Sequence, residues 1–299
     1  MTGFASLKEP RAARAVVMAG GIFAAMVAAA ALIPAAIAEP QGKDAIPHFA
    51  DPNFGWQTNV ADWQEPPPGL GHGPIKPDPA HPFMSNAEAG RRGLQPTLRI
   101  GDAKDPILKP WAAQFMQASN EEALTGTRQV PFAAQARCYP GGVPGQLLFP
   151  FEPVYFVQTP KEVVMMWQMD HQIRHVYLDV PHSKNPKPSW YGDAVGHYEG
   201  DELVIDTIGL NDKTFVDNYR TPHTDKIHVV ERFKLIEGGK ILQDTITVDD
   251  PGAFNMAWTA VQRWRRTDRE MDESICAENN DNFFNYDVVP IPQAAKADF

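Results

Sequence analysis

The residues of this chain that could do chemistry are charged side chains on the apolar faces of predicted strands. Alternate side chains of a strand point to opposite faces, so a half-buried strand has one apolar and one polar face. Four predicted strands break this rule, with Arg174 beside Val176 and Leu178, Asp206 between Val204 and Ile208, Glu231 between Val229 and Phe233, and Asp244 between Leu242 and Ile246. We therefore expect these four charged residues to share a polar interior.

A shared interior of this kind predicts acid–base chemistry. Three potential anions would face one cation, and burial of unpaired charge is costly, so one carboxyl should keep its proton or recruit a histidinium. Proteins obtain proton-transfer groups in such environments. The catalytic residues that we predict are His171, His223, Asp206 and Glu231. The substrate-binding residues that we predict are Arg174, Tyr177, Trp190 and Asp244.

Other kinds of site have weaker sequence support. His171 and His175 are spaced like a helical metal-ligand pair, but residues four apart on a strand are separated by about 13 Å. No Gly-x-Ser-x-Gly elbow occurs, and the loop 141–145 contains a proline and lacks the lysine of a phosphate loop. We expect no cofactor and no metal, and a metal assembled from non-adjacent histidines and aspartates stays open.

Each candidate also has a structural interpretation. An inward carboxylate can bond an arginine and fix the register of a barrel, and ion-pair networks of that sort perturb charges as active sites do. A histidine taken alone is more often a structural or surface residue.

Short strands separated by tight turns must position these residues. Turn signals occur at Glu199-Gly200-Asp201, Gly238-Gly239 and Asp250-Pro251-Gly252. We predict eight strands, over residues 153–158, 163–169, 172–179, 194–198, 202–208, 227–236, 241–248 and 258–264. Such strands favour an antiparallel meander that closes or curves strongly into a barrel, because closure removes exposed edges. The predicted fold class is mainly β.

The predicted barrel is preceded by an extension and interrupted by two long loops. Prolines throughout the segment from 39 to about 95 disfavour long helices and central strands, so it should run extended over the domain. Asp105-Pro106 then predicts the start of one amphipathic helix, whose apolar residues at helical spacing are Leu108, Trp111, Ala112, Phe115 and Met116. The loops 181–192 and 209–226 should lie at the barrel mouth, the first as a lid.

The first 38 residues have the pattern of a cleaved signal peptide. Basic residues precede the apolar run 15–33, and Ala36-Ile37-Ala38 fits a signal peptidase site. A membrane anchor is the alternative, but the run is short and ends at Pro34. We expect a periplasmic or secreted protein. In an oxidising compartment the two cysteines, Cys138 and Cys276, should form a disulfide.

Charge and organisation limit the partners. The net charge is −10, and removal of a leader of net charge +2 leaves about −12, which disfavours nucleic acid as a partner. No second long apolar run follows, so no membrane partner is expected after removal of the signal peptide. The predicted organisation is a signal peptide (1–38), a proline-rich extension with the helix (39–130), a barrel domain (131–280) and a tail (281–299). The oligomeric state stays open.

Three sequence blocks carry a resemblance to a known family. They are residues 170–179, 196–207 and 222–233, preceded by Arg137-Cys138 and followed by the turn 249–252. Together they resemble an uncharacterised exported calycin-like family, over roughly residues 131–279. The resemblance implies a lipocalin-like β-barrel and brings no activity or catalytic residue with it.

Two functional hypotheses follow. The first is a cofactor-independent lyase, isomerase or hydrolase that moves protons on a small apolar or aromatic molecule inside the barrel. The second is a lipocalin-like carrier that binds such a molecule unchanged. Inward carboxylates favour the enzyme, because a carrier of apolar ligands has little use for them. The absence of catalytic signatures favours the carrier. A structural or interaction module with a filled interior is a third possibility.

Overall fold

The computed structural model describes residues 46–84, 88, 91–92, 99–125, 138–150 and 152–276. Within these residues, nine strands close into a barrel in chain order. They are β1 (Gly55–Gln57), β2 (Val154–Gln158), β3 (Glu162–Trp167), β4 (Ile173–Leu178), β5 (Asp193–Glu199), β6 (Glu202–Ile208), β7 (His228–Ile236), β8 (Ile241–Asp249) and β9 (Trp258–Thr267). The predicted mainly β, barrel-forming class is confirmed, and the predicted leader and C-terminal tail lie outside the described residues.

The first strand of the barrel comes from the proline-rich extension. β1 pairs with β9 and β2, so it closes the barrel between its last and second strands. Trp56 on β1 is fully buried, and its indole Nε1 donates to the carbonyl of Phe49, 2.8 Å away. Farther along, Gln64 forms a bridge with Val261 on β9. The sequence predicted only surface packing here, because three residues are too short to show an alternating pattern.

One strand pair departs from the predicted antiparallel meander. β4 and β5 run parallel, with Tyr177 opposite Val195 and Leu178 opposite Gly196. Every other neighbouring pair of the barrel is antiparallel. A parallel connection between adjacent strands needs a long crossover rather than a tight turn. The loop 179–192 is that crossover, which explains its length.

A single long helix, α1 (Pro110–Thr125), occurs among the described residues, and a short 3-10 helix spans Gly145–Leu148. The helix begins at Pro110, not at Asp105-Pro106 as predicted, because Asp105 caps a turn: its Oδ1 accepts from the amide of Ile107, 3.0 Å away. Ala112 and Met116 of α1 are fully buried.

Two further observations concern the cysteines and the helices. Cys138 and Cys276 form the predicted disulfide, with their Cα atoms 5.5 Å apart. In the part of the chain that the structure describes, no helix is long and apolar enough to cross a membrane.

Candidate functional site

The barrel interior contains a buried ion pair between two strands that are not neighbours in the wall, β4 and β7. Arg174 on β4 and Glu231 on β7 both point inward and are 1% and 0% exposed. Arg174 Nη1 donates to Glu231 Oε1 at 2.8 Å, and Nη2 donates to Glu231 Oε2 and to Thr207 Oγ1, the latter at 2.9 Å. The inward orientation predicted for both residues is confirmed. Their mutual pairing supports the structural interpretation, in which an inward carboxylate bonds an arginine, because both oxygens of Glu231 are used by one arginine.

Asp244 is the third inward charge and has a different environment. Its Oδ1 accepts from the amide of Arg232 at 3.0 Å, and its Oδ2 has no partner among the described residues. Burial, and secondarily the charge of Glu231, raise the pKa of Asp244 well above its usual value. If Asp244 is protonated, the interior contains one cation and one anion. This is the charge state of lowest free energy for buried groups.

Asp206 does not lie inside the barrel, contrary to the prediction. Leu203, Ile205 and Thr207 face the interior, and the Asp206 side chain is 40% exposed on the outer face. The prediction was wrong because Leu203, Val204 and Ile205 are all apolar, so the alternation of side chains on β6 does not distinguish the inner face from the outer face. The predicted constellation is therefore divided by the barrel wall.

On the outer face, Asp206 is part of a chain of alternating carboxylates and imidazoles. Its Oδ1 lies 2.9 Å from Nε2 of His182 and 2.9 Å from Nε2 of His228. The other nitrogen of His182, Nδ1, lies 3.3 Å from Oδ2 of Asp193. The amide of Ser183 also donates to Asp193 Oδ2, at 2.7 Å. We call His182, Asp193, Asp206 and His228 the outer cluster.

Three strands and the crossover supply the outer cluster. Asp193 begins β5, Asp206 lies near the end of β6, and His228 begins β7. Asp206 pairs directly with Val230, which places His228, two residues earlier on β7, on the same face. His182 comes from the crossover that the parallel β4–β5 pair requires. The parallel connection therefore brings the second imidazole to the cluster.

His228 is the member of the outer cluster that can act on a bound molecule. Its Nδ1 makes no hydrogen bond with any residue that the structure describes, and its side chain is 41% exposed. Because the Asp206 carboxylate can only accept, it favours the tautomer with a proton on Nε2 of His228. The lone pair of Nδ1 is then available as a base, in the arrangement by which a carboxylate orients a catalytic imidazole.

A cleft of about 290 Å³ lies on the outer wall near the outer cluster and is lined by residues of β6 to β9 and Leu70. Its walls are Leu70, Glu202, Val230, Arg232, Thr245, Thr247 and Thr259. Val230 is the direct cross-strand partner of Asp206, and Thr247 is the partner of Val230 on the other side. Direct partners have Cβ atoms about 5 Å apart, so Val230 connects this outer cleft to Asp206, although no residue of the outer cluster lines the cleft itself.

A second cleft, of about 490 Å³, lies between the two long loops and contains Trp190. Its other lining residues are Pro188, Ser189, Asn211, Asp212, Lys213 and Asp225. The Trp190 ring contacts Tyr139 at 5.5 Å between centroids, and Lys213 Nζ lies 5.9 Å from its centre. Trp190 is thus in a cleft, as expected of a binding residue, but the cleft opens outside the barrel.

The remaining predicted residues contact neither the Arg174–Glu231 pair nor the outer cluster. His171 is an exposed residue of the β3–β4 turn with a φ of 45°, and no hydrogen bond of the described residues connects it to Asp206 or Glu231. Tyr177 is 50% exposed, because it is three residues from Arg174 and so points to the opposite face. Its ring stacks on His175 outside the barrel.

His223 is buried in the loop 209–227. Its Nε2 lies 2.9 Å from Thr214 Oγ1 and its Nδ1 lies 3.0 Å from the carbonyl of Thr224. Burial lowers the pKa of His223, so a neutral ring that bonds both partners fits this environment. His223 therefore holds the loop and does not meet Glu231 or Asp206.

Sequence reasoning missed His182, Asp193 and His228 as site residues. The signal that could have found His228 is its spacing from Val230, once Asp206 is placed outward on the neighbouring strand. His182 and Asp193 had no such signal, because only the crossover path brings them together. Among the described residues, no group of three or more His, Cys, Asp or Glu side chains is placed to hold a metal ion.

The fold and the outer cluster define this protein as a closed, mixed nine-stranded β-barrel, compatible with a calycin-like fold, that carries a histidine–carboxylate chain on its outer wall. No family model, no curated protein and no solved structure matches the chain.

Proposed function

We propose that this protein is an exported, cofactor-independent acid–base enzyme that acts on a small molecule in the outer cleft. The observation that carries the proposal is the bonding of His182 and His228 to one oxygen of Asp206. Nδ1 of His228 then has no partner among the described residues, and His228 lies two residues from Val230 in the wall of the outer cleft. The proposal keeps the acid–base chemistry expected from the sequence and moves it from the lumen to the outer wall. We also propose that the barrel is lipocalin-like.

In the proposed reaction, Nδ1 of His228 takes a proton from the substrate. The Nε2–H of the resulting imidazolium stays bonded to the Asp206 carboxylate, which stabilises the positive charge. His182 bonds Asp206 and Asp193 and holds the carboxylate in place. In an isomerisation the proton returns to another atom of the substrate, and in an elimination it goes to the leaving group. In a hydrolysis Nδ1 instead takes the proton of a water that attacks the substrate, and the imidazolium gives it to the group that leaves.

Export is supported by two features of the chain. The N-terminal 38 residues have the pattern of a signal peptide, and the Cys138–Cys276 disulfide fits an oxidising compartment. The acidic outer cluster and the net charge of −10 also argue for a small-molecule ligand over nucleic acid.

The test is a conversion screen with a matched control. Wild type, His228→Gln and His175→Gln are incubated with a soluble metabolite extract, and depleted compounds are identified by mass spectrometry. His175 is an exposed histidine beside a carboxylate, with Nδ1 3.1 Å from Glu162, and lies away from the outer cleft on β4. We expect wild type and His175→Gln to deplete the same compound and His228→Gln to be slower by about 10² to 10⁴. Equal depletion by the wild type and both variants contradicts the proposal.

Binding without turnover is the second candidate. It is favoured by the barrel interior, where Glu231 is saturated by Arg174 and is no free base. If no compound of the extract is converted but one binds wild type and His228→Gln equally, the protein is a carrier and the enzyme proposal fails.

A further inference from the structure

We propose that the outer cleft takes a carboxylic acid with a flat apolar body, and that Arg232 binds its carboxylate. This inference rests on the proposed function, because it assigns the substrate class of the same site.

Arg232 is suited to an anion by its free edge. Of the described residues that line the outer cleft, it is the only cation. Its Nη1 donates to Glu199 Oε2 at 2.7 Å and to Glu202 Oε2 at 3.2 Å. Its Nε and Nη2 make no hydrogen bond with any described residue. The Nε–Nη2 edge of a guanidinium is one that binds both oxygens of a carboxylate.

The two glutamates position the guanidinium of Arg232 rather than neutralise its charge. They restrict the guanidinium, so less side-chain entropy is lost when a ligand binds. Glu202 also lines the cleft, but its charge is shared with Lys234, whose Nζ lies 3.5 Å from Glu202 Oε1. A second glutamate, Glu199, bonds Nη1 from outside the lining of the cleft.

The spacing of the two working groups sets the size of the ligand. His228 and Arg232 are four residues apart on β7 and face outward, so their Cα atoms are about 13 Å apart. Acetate is too short to reach both. A molecule that reaches both must cross Val230, which lies between them on β7, and Leu70 is the other apolar residue that lines the cleft. This central part of the cleft favours an apolar, flat body.

The remaining lining residues are Glu202 and three threonines, two of which bond each other. The hydroxyls of Thr247 and Thr259 bond each other at 3.1 Å, so they have a polar partner without a ligand. The volume of about 290 Å³ is close to the lower limit of small-molecule sites. One aromatic ring with a short acidic side chain is the size that fits.

The experiment measures binding of matched acids and amides by calorimetry. The probes are benzoate, cinnamate and 3-phenylpropionate, each with its neutral amide, and acetate as the short acid. The proteins are wild type, Arg232→Met, Glu199→Gln, which loses one bond to the guanidinium, and Arg265→Gln, which removes an exposed arginine of β9 outside the cleft.

We expect at least one aryl acid to bind wild type about tenfold or more tightly than its amide, and acetate not to saturate the site. Arg232→Met should remove the preference for the acid and leave amide binding unchanged. Arg265→Gln should keep it. Glu199→Gln, which loses one bond that restricts the guanidinium, should weaken binding of the acid by less than Arg232→Met does. Equal binding of acid and amide, an unchanged preference in Arg232→Met, or no binding of any aryl acid overturns the inference.

Failure of the inference and failure of the proposed function give different results. If aryl acids bind through Arg232 but nothing is converted, the inference stands and the enzyme proposal fails. If His228-dependent conversion is found only for neutral compounds, the enzyme proposal stands and the carboxylate inference is overturned.

Discussion

Nη1 of Arg174 lies 2.8 Å from Oε1 of Glu231, and both side chains are sealed inside the barrel at 1% and 0% exposure. The pair joins β4 to β7, which are not neighbours in the barrel. Charges in such an environment are expensive to separate, because the remaining partner is left buried without compensation.

Removal of one partner of this pair should therefore cost more than removal of both. We expect Glu231→Leu to lower the free energy of unfolding by about 3–5 kcal/mol. The double variant Arg174→Met/Glu231→Leu should be more stable than Glu231→Leu alone. Urea unfolding of the wild type, both single variants and the double variant measures the coupling. Additive losses would contradict direct coupling between the two buried charges.

Asp217 makes stability depend on pH in the acidic range. Its carboxylate accepts from the amides of Tyr219 and Thr221, at 2.9 and 3.0 Å, and from the Thr221 hydroxyl at 2.6 Å. Burial nevertheless raises its pKa from 3.8 to about 6. The folded state thus binds the proton more tightly than the unfolded state between about pH 4 and pH 6.

The direction of the pH dependence of stability follows from this difference in proton binding. The contribution of Asp217 is full below pH 4 and is lost as pH rises towards 6, by about 3 kcal/mol for a shift of about two pH units. Asp217→Asn should remove this part of the pH profile, whereas the exposed Asp212→Asn should keep it. Unfolding free energies measured at pH 4, 5, 6 and 7 give the comparison. A wild-type profile that Asp217→Asn leaves unchanged would refute the assignment.

The outer cluster predicts unequal effects of its two aspartates on turnover. Asp206 contacts His228 directly, whereas the only imidazole of the outer cluster that Asp193 contacts is that of His182. Asp206→Asn should lower kcat by about 10² or more, because the amide can donate to Nε2 and select the wrong tautomer of His228. Asp193→Asn should lower kcat less, about tenfold or under, since it acts through His182.

The pH profile of kcat/KM separates the two roles. We expect Asp206→Asn to change the shape of the profile and Asp193→Asn to lower it without changing the shape. The reverse order of effects would show that His182, not His228, is the proton-transfer group.

Gly192 fixes the end of the crossover that carries His182. Its φ is +67°, and a Cβ there would lie 2.5 Å from the carbonyl oxygen of Ile208. Gly238, in the β7–β8 turn, has a φ of +66° and nothing within 4 Å of the same position. Gly238→Ala should cost about 1–2 kcal/mol from backbone strain alone. Gly192→Ala should cost about 1–3 kcal/mol more, because the backbone must also move. Equal thermal stabilities of the two variants would contradict the close contact.

Much of the barrel could be predicted from the sequence. Alternation placed Glu231 between Val229 and Phe233 on the inner face of β7, and Asp244 between Leu242 and Ile246 on β8, since the opposite faces of these strands are polar. The same argument was wrong for Asp206, whose neighbours on β6 are apolar on both faces. Alternation is informative only where one face of a strand meets water.

The candidate site was less predictable because it depends on chain path. The eight-strand meander was expected from tight turns, but no turn signal marks the parallel β4–β5 pair. The three-residue β1 likewise has no pattern of its own. His182, brought by the crossover, therefore joins Asp206 for a topological reason that spacing along the sequence does not express.

The β4–β5 pairing has a mechanical consequence. Only the positions Tyr177–Val195 and Leu178–Gly196 are paired there, whereas β7 and β8 are paired over nine positions. A wall opens first where the fewest hydrogen bonds must break, so among the pairs formed by β2 to β9 this seam should exchange its amide protons soonest; only β1–β2, paired at Trp56–Val154 alone, is shorter. Arg174 lies on one side of the seam, and water that enters through it would reach the sealed charges from the side and not from either end of the cylinder.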